Sequence, residues 1–383
     1  MSDRKPLIAL DLLRFASALL VVAFHYGTAF ALAPSAAGAR MLNGLAVSDA
    51  AVGASWFGWV GVEIFFVISG FVIAISAEQA RPAAFLRRRA LRLFPAAWVC
   101  ASATLIVLAM ATPDAGLGLA WLHSIGFWPV ARWVDPSYWT LGVELCFYLL
   151  IATGLRSADR ARVIERRGLA IGALSLIFWL IAAGWQATPM MDYRPFQLLL
   201  LPHGCFFALG ILARSMLSRG VTAERTMLTV LFYATALAEI AGRTAERTHA
   251  LHIEASPAAP ILIFSFGLAV VLASSRLQPL LERRINLELA TTLGLLTYPL
   301  YLIHQEVGAA IVAAAMRAGL GYWPAIAVTL AIVLAAACAV AAILEPAIRT
   351  PLARLLGARP HVAAGSGSAA RSPLPAPARQ SAG

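Results

Sequence analysis

The chain has 383 residues, of which 60% are hydrophobic and only 13% charged, with 30 Lys and Arg against 19 Asp and Glu. A water-soluble domain carries about a quarter charged residues, so the composition excludes a soluble enzyme. The net charge of +11 sits in short loops between apolar runs, which marks it as membrane-orienting charge and excludes a nucleic-acid surface.

Apolar runs close to 20 residues long predict helical spans at about 7–31, 56–79, 90–111, 138–155, 168–187, 196–213, 226–242, 259–275, 290–313 and 323–345. The expected fold is therefore all-α, a polytopic membrane bundle of about ten transmembrane helices. "FALAPSA" at 30–36 mimics a signal cleavage site. Pro34 follows its small residue, and Asp11 and Arg14 precede the apolar core, so the first helix is expected to be retained. With both termini cytoplasmic, 23 Lys and Arg fall on the cytoplasmic side and 6 on the other, with Arg14 left inside the first span. The stretch "LGLAWLHSIGFWPVARW", 117–133, would invert that balance if it crossed, and it is expected to be re-entrant or interfacial. Residues 1–349 read as one integral membrane domain and 350–383 as a cytoplasmic tail, disordered from about 359 because it is rich in Ala, Gly, Ser and Pro. The four cysteines, Cys100, Cys146, Cys205 and Cys338, all lie in apolar segments with no disulfide or metal spacing, and no metal is expected.

Charged residues inside spans are expensive and point inward. Arg14 lies roughly 10 Å into the first helix and His25 roughly 27 Å in. Their separation of 11 positions is about 20° past three full turns, so they share a face, and Asp11 can pair with Arg14. Glu63, Glu144 and His304 fall at similar depths on the outer side of their own spans, which predicts one layer of four ionisable groups with His25. Arg87, Arg88, Arg89 and Arg92 crowd the cytoplasmic mouth of the third span. Arg89 and Arg92 share a helical face suited to a phosphate, whereas Arg87 and Arg88 read as membrane anchors.

These segments resemble a known family. "LDLLRFASALLVVAFHY", "GVEIFFVISGFVI", "RRALRLFPAAWV", "SYWTLGVELCFYLL", "LTYPLYLIH" and "ILEPAIR" are similar, in order, to signature segments of the membrane-bound acyltransferase family 3. Arg14 and His25 stand at the family's Arg-x10-His spacing, and Arg89 and Arg92 at its Arg-x-x-Arg. The resemblance implies transfer of an acyl group, usually acetyl, from cytoplasmic acyl-CoA to a hydroxyl of a sugar or glycolipid, in the inner membrane of a bacterium. Acyl-CoA would be a co-substrate, with no permanently bound cofactor. Leu145 stands where a second acid is common, which leaves Glu144 as the only acid of that pair.

Chemistry independent of the resemblance agrees. An alcohol attacking a thioester needs a base, and histidine titrates near neutrality. His25 is the expected general base, with Glu63 or Glu144 to orient it. Arg14, Arg89 and Arg92 are the expected acyl-CoA ligands, Arg14 either on a phosphate or polarising the thioester carbonyl. Asp11, Ser69, Trp139, Tyr148 and His304 are expected to line the cavity, Ser69 with Gly70 as a small pair that permits close packing. His123 and His203 are read as structural. The rival reading is a transporter or exporter of a polar solute using the same charged cavity. The sequence shows no matched pair of interrupted helices to support it.

Overall fold

The computed structural model describes residues 7–30, 37–45, 48–130, 132–184 and 192–357. The first helix, α1 (Ile8–Phe24), runs without interruption into a π-helical turn, His25–Ala29. Short helical turns at Asp49–Ser55 and Gly58–Val60 lead to α2 (Gly61–Glu78), and α3 (Pro82–Ala111) follows with proline in its first turn. After α4 (Leu117–Ile125) come α5 (Trp139–Gly154), α6 (Arg160–Gly184), α7 (Gly204–Arg219) and α8 (Ala223–Leu251). The chain then builds α9 (Ala258–Arg284), α10 (Leu287–Ile303), α11 (Glu306–Arg317), α12 (Tyr322–Ala339) and α13 (Glu345–Leu355). No strand occurs among the described residues. The expected boundary at 349 falls inside α13, and the predicted disordered tail lies outside the described residues.

Each predicted span overlaps helix among the described residues, but the expected count of about ten crossings is not reproduced, and the span over 196–213 is interrupted by turns between Leu198 and Gly204. Six stretches are long and apolar enough to cross a membrane, and a seventh if α10 and α11, bent by 73°, count as one. The helices α5 and α7 have 16 residues each and extend about 24 Å, short of the ~30 Å hydrocarbon core. The 29-residue α8 carries Glu239 inside the predicted span and continues past 242 through Arg243, Glu246 and Arg247, where the sequence predicts an outer loop.

The helices seat where local chemistry allows. Asn286 caps α10, accepting from the Glu288 N–H at 2.7 Å, and Thr222 caps α8, accepting from the Arg225 N–H at 3.2 Å. Gly220, at φ 87°, ends α7. The centre of the bundle is aromatic: Phe207 of α7 packs on Phe66 of α2 at 4.8 Å and on Phe147 of α5 at 4.3 Å between centroids. The helices α2 and α7 approach backbone to backbone. A Cβ at Gly70 would collide with the Phe207 carbonyl, and one at Gly210 with that of Val67. At the periphery, α9 and α12 leave Leu262, Phe266 and Ile332 exposed, as a lipid-facing surface requires.

The nine-residue α4, about 13.5 Å long, does not cross. Trp98 pins it by donating to the Ile125 carbonyl at 2.9 Å, and Trp121 by donating to Ser102 at 3.1 Å. Leu119, Leu122, Trp128 and Val130 are exposed, the pattern of a segment lying in an interface. In the preceding loop Asp114 accepts from the Gly116 N–H at 2.7 Å and pairs with Arg132 at 2.7 Å, which together hold its carboxyl below the usual range.

Gly70→Val and Gly210→Val are each expected to force α2 and α7 apart at a cost of about 1–3 kcal/mol, lowering the thermal unfolding midpoint in detergent. Gly118→Val, where a side chain meets open space, is expected to leave the midpoint unchanged.

Candidate functional site

Two internal chambers lie end to end in the bundle. The first, about 110 Å³, is lined by Arg14 of α1, Ser69 of α2, Arg89 and Arg92 of α3, Glu144 and Tyr148 of α5, and Thr297, Tyr298 and Tyr301 of α10. The second, about 190 Å³, is lined by His25, Trp59, Glu63, Ser137, Trp139, Arg243, Arg247 and Gln305. Val62 and Tyr301 line both, so the chambers adjoin at these two side chains. Tyr301 is fixed there: its hydroxyl donates to the Ser137 carbonyl at 3.1 Å and lies 2.9 Å from the Thr140 hydroxyl.

In the first chamber Arg14 pairs with Asp11 at 3.0 Å, three residues back on α1. Arg89 packs on the rings of Phe85 and Tyr148, at 5.6 and 5.7 Å, and its Nε has no hydrogen-bond partner. Arg92 is exposed and forms the rim. Ser69 donates to Glu144 Oε1 at 2.9 Å, and the Tyr148 hydroxyl donates to the same oxygen. Three guanidiniums thus converge on one small cavity with a single hydrogen-bonded carboxylate, an arrangement suited to an anionic ligand. Arg87 and Arg88 turn elsewhere, Arg87 to the Leu356 and Gly357 carbonyls and Arg88 to that of Ser76.

In the second chamber the imidazole of His25 is defined by its partners. Nδ1 lies 2.9 Å from the Val21 carbonyl oxygen, which can only accept, so Nδ1 carries the proton and Nε2 is the basic nitrogen. His304 Nδ1 donates to the Tyr301 carbonyl at 2.8 Å, so its Nε2 accepts from His25 Nδ1 at 3.2 Å. A backbone carbonyl and a second histidine orient His25. Among the described residues no carboxylate is hydrogen-bonded to it.

His304 reaches this position because the helix breaks beside it. The Leu302 carbonyl accepts from the Tyr138 hydroxyl at 3.2 Å and the His304 carbonyl from the Tyr26 hydroxyl at 3.0 Å. The Glu306 N–H turns to Asp135 Oδ2 at 3.2 Å, while Asp135 Oδ1 accepts from both the backbone and the hydroxyl of Ser137. Side chains have replaced the helical bond between Leu302 and Glu306, while the His304 carbonyl keeps its bond from the Gly308 N–H at 3.1 Å beside that from Tyr26, and the sequence prediction of a single span over 290–313 misses the bend.

The predicted single layer of four ionisable groups divides. Glu63 and His304 stay with His25, whereas Glu144 joins Arg14. The reason is depth. The predicted spans begin at Trp56 and at Tyr138, but α2 begins at Gly61, so Glu63 lies only about 3 Å below the helix start while Glu144 lies about 7.5 Å below that of α5. Trp139 lines the second chamber rather than the first.

A buried cluster next to the second chamber escapes the sequence reading. Glu63, His203 and Glu239 are buried and place ligand atoms within 4.8 Å of one another. Arg243 donates to Glu239 Oε1 at 2.9 Å and meets Asp192 at 3.4 Å. These are the residues that could hold a metal ion, but it would have to compete with a guanidinium already seated on one of its three ligands. His203, read as structural, packs between Phe66 and Trp139 with neither ring nitrogen hydrogen-bonded. His123 lies outside both chambers, with Nδ1 3.3 Å from the Arg132 carbonyl. The available signal for the cluster was the spacing Glu239-x3-Arg243-x3-Arg247, one helical face at i, i+4, i+8.

Comparison with known proteins is consistent with this geometry. A family model described as an acyltransferase domain, that of acyltransferase family 3, matches residues 7–344. The chain is 30% identical over 298 residues to Nodulation protein 10 of Rhizobium leguminosarum bv. viciae, covering 69% of this chain and 74% of that protein. No solved structure matches it.

Asp135→Ala would leave the Glu306 and Ser137 amides unpaired, each costing about 1–3 kcal/mol. The expected result is a lower unfolding midpoint in detergent, with Asp135→Asn less affected because it retains one acceptor oxygen.

Proposed function

The chain belongs to acyltransferase family 3, and from that premise we propose that it carries an acyl group, acetyl as the simplest case, from acyl-CoA to a hydroxyl of a carbohydrate or glycolipid acceptor. The protein is a multi-pass membrane acyltransferase, so it handles an acyl donor, an acceptor and a bilayer. The proposal adds what each chamber receives. A bundle of about ten helices, with both termini in the cytoplasm of a bacterial inner membrane, puts the arginine-lined chamber toward the cytoplasmic acyl-CoA and the His25 chamber toward the outer acceptor. The 23-to-6 bias of Lys and Arg supports that orientation.

The observation that carries the reading is the pair of adjoining chambers, phosphate-binding chemistry in one and an imidazole with a free Nε2 in the other. In the reaction the acceptor oxygen attacks the thioester carbonyl carbon while His25 Nε2 takes the hydroxyl proton. The carbon–sulfur bond breaks and the thiolate of CoA leaves, recovering a proton from the imidazolium, so ester and free CoA are formed. The Nδ1–H bonds to Val21 and His304 keep the ring in the tautomer that this step needs. Arg14 is about 16 Å from His25 along the helix, which assigns it to the donor with Arg89 and Arg92 rather than to the thioester carbonyl at His25. Glu63 is the acid available to acceptor hydroxyls. Glu144, with Ser69 and Tyr148, shapes the donor side. One bent helix pair occurs among the described residues, with no matched partner of the kind a repeat-built carrier would use.

The test uses the purified full chain in lipid nanodiscs with radiolabelled acetyl-CoA and a mixed pool of glycans and lipid-linked sugars. Label transfer is expected, and His25→Ala should reduce it by about 100- to 10,000-fold, the range for a lost general base. Arg89→Gln with Arg92→Gln should raise KM for acetyl-CoA with a much smaller effect on the rate at saturation. Undiminished transfer by His25→Ala would overturn the proposal. In vesicles, movement of solute without any dependence on acyl-CoA would favour a transporter instead.

A further inference from the structure

Arg247 has no place in the chemistry above, and its surroundings call for a ligand. It lies near the end of α8 and lines the His25 chamber. Its guanidinium lies over the rings of Trp59 and Phe24, 5.0 and 5.3 Å from their centroids. Among the described residues no carboxylate forms an ion pair with it, and its Nε is enclosed without a hydrogen-bond partner. A cation in such a place needs a counter-charge. The adjacent Arg243 is committed to Glu239 and Asp192 through Nε and one terminal nitrogen, but its Nη2 is also buried and unpartnered. Glu63, on the same chamber, contacts neither arginine as an ion pair and leaves Oε2 without a partner.

We propose that Arg247, on its Phe24–Trp59 platform and with the open Nη2 of Arg243, is a subsite for an anionic substituent of the acceptor, a carboxylate or a phosphate. The inference rests on reading this chamber as the acceptor side. Phe24 links the subsite to the base: its ring is 5.3 Å from the guanidinium of Arg247 and 5.3 Å from the imidazole of His25. An acidic sugar seated by its anion on Arg247 therefore brings its neighbouring hydroxyls toward His25 Nε2. A planar guanidinium held against two rings is preorganised for two-point binding of carboxylate or phosphate.

The test reads His25 directly and needs no acyl-CoA. The full chain in nanodiscs is treated with diethyl pyrocarbonate, and carbethoxylation of the His25 peptide is followed by mass spectrometry at matched ionic strength. Glucuronate is expected to slow modification of His25 severalfold, and its neutral analogue glucuronamide is not. Glucose 6-phosphate is the phosphate arm, so whichever anion protects better identifies the group recognised. Arg247→Gln should raise the glucuronate concentration needed for half-protection about tenfold or more, the worth of one charge-assisted bond, while Arg14→Gln, on the other chamber, should not. Equal protection by glucuronate and glucuronamide in the unaltered protein, or protection by neither anion, would overturn the subsite. Failure of label transfer with anion protection intact would instead count against the acyl-transfer reading.

Discussion

A polar side chain carried into a membrane must turn away from lipid, and this constraint organises the whole bundle. The first helix shows it most plainly. Asp11 and Arg14 neutralise each other at 3.0 Å, and His25 satisfies its Nδ1–H on Val21 and His304. The neighbouring helices then pack against that polar face. Gly294 of α10 sits so close to Asp11 that a Cβ would meet the carboxyl, and Tyr26 ties the π-helical turn to the break before α11. The polar groups of six helices are thereby gathered into two internal chambers, while leucine, isoleucine and phenylalanine cover the outside.

The division into two chambers gives the bundle its chemical direction. Arginine dominates one side, where Arg14, Arg89 and Arg92 converge with one carboxylate that Ser69 and Tyr148 already engage. The other side holds the oriented imidazole and a mixed set of acids and arginines. Val62 and Tyr301 line both chambers, the latter held by Ser137 and Thr140. A contact of this kind between chambers suits the proposed donor, whose long arm would pass while its charged head stays behind.

Much of this was legible in the sequence, because an ionisable residue within an apolar run is conspicuous. Arg14, His25, Glu63, Glu144, Arg89 and Arg92 all line one chamber or the other. What the sequence hides are relations between helices. Trp139 and Glu144 are five residues apart on one helix yet open into different chambers, because a few ångströms of depth decide which one a side chain reaches. Arg243 and Arg247 look like outer-loop charges, since a run that contains them fails any apolarity test. They stay helical because Glu239 and Arg243 pair one turn apart and the rings of Phe24 and Trp59 receive Arg247. The bend before α11 is equally hidden, because Tyr138 and Asp135, which replace its lost ladder bond, and Tyr26, which donates to the His304 carbonyl beside it, come from distant parts of the chain.

The account stands most directly on passage between the chambers, and Val62→Trp tests it by adding bulk where they adjoin. Acetyl-CoA affinity and acyl transfer should be measured together on the purified variant in nanodiscs. Retained binding of acetyl-CoA with transfer abolished is the predicted result, since the donor site would be intact and the way to His25 closed. Transfer at the rate of the unaltered protein would contradict the account, because the acyl group would then be reaching its acceptor by some route other than the one between Val62 and Tyr301.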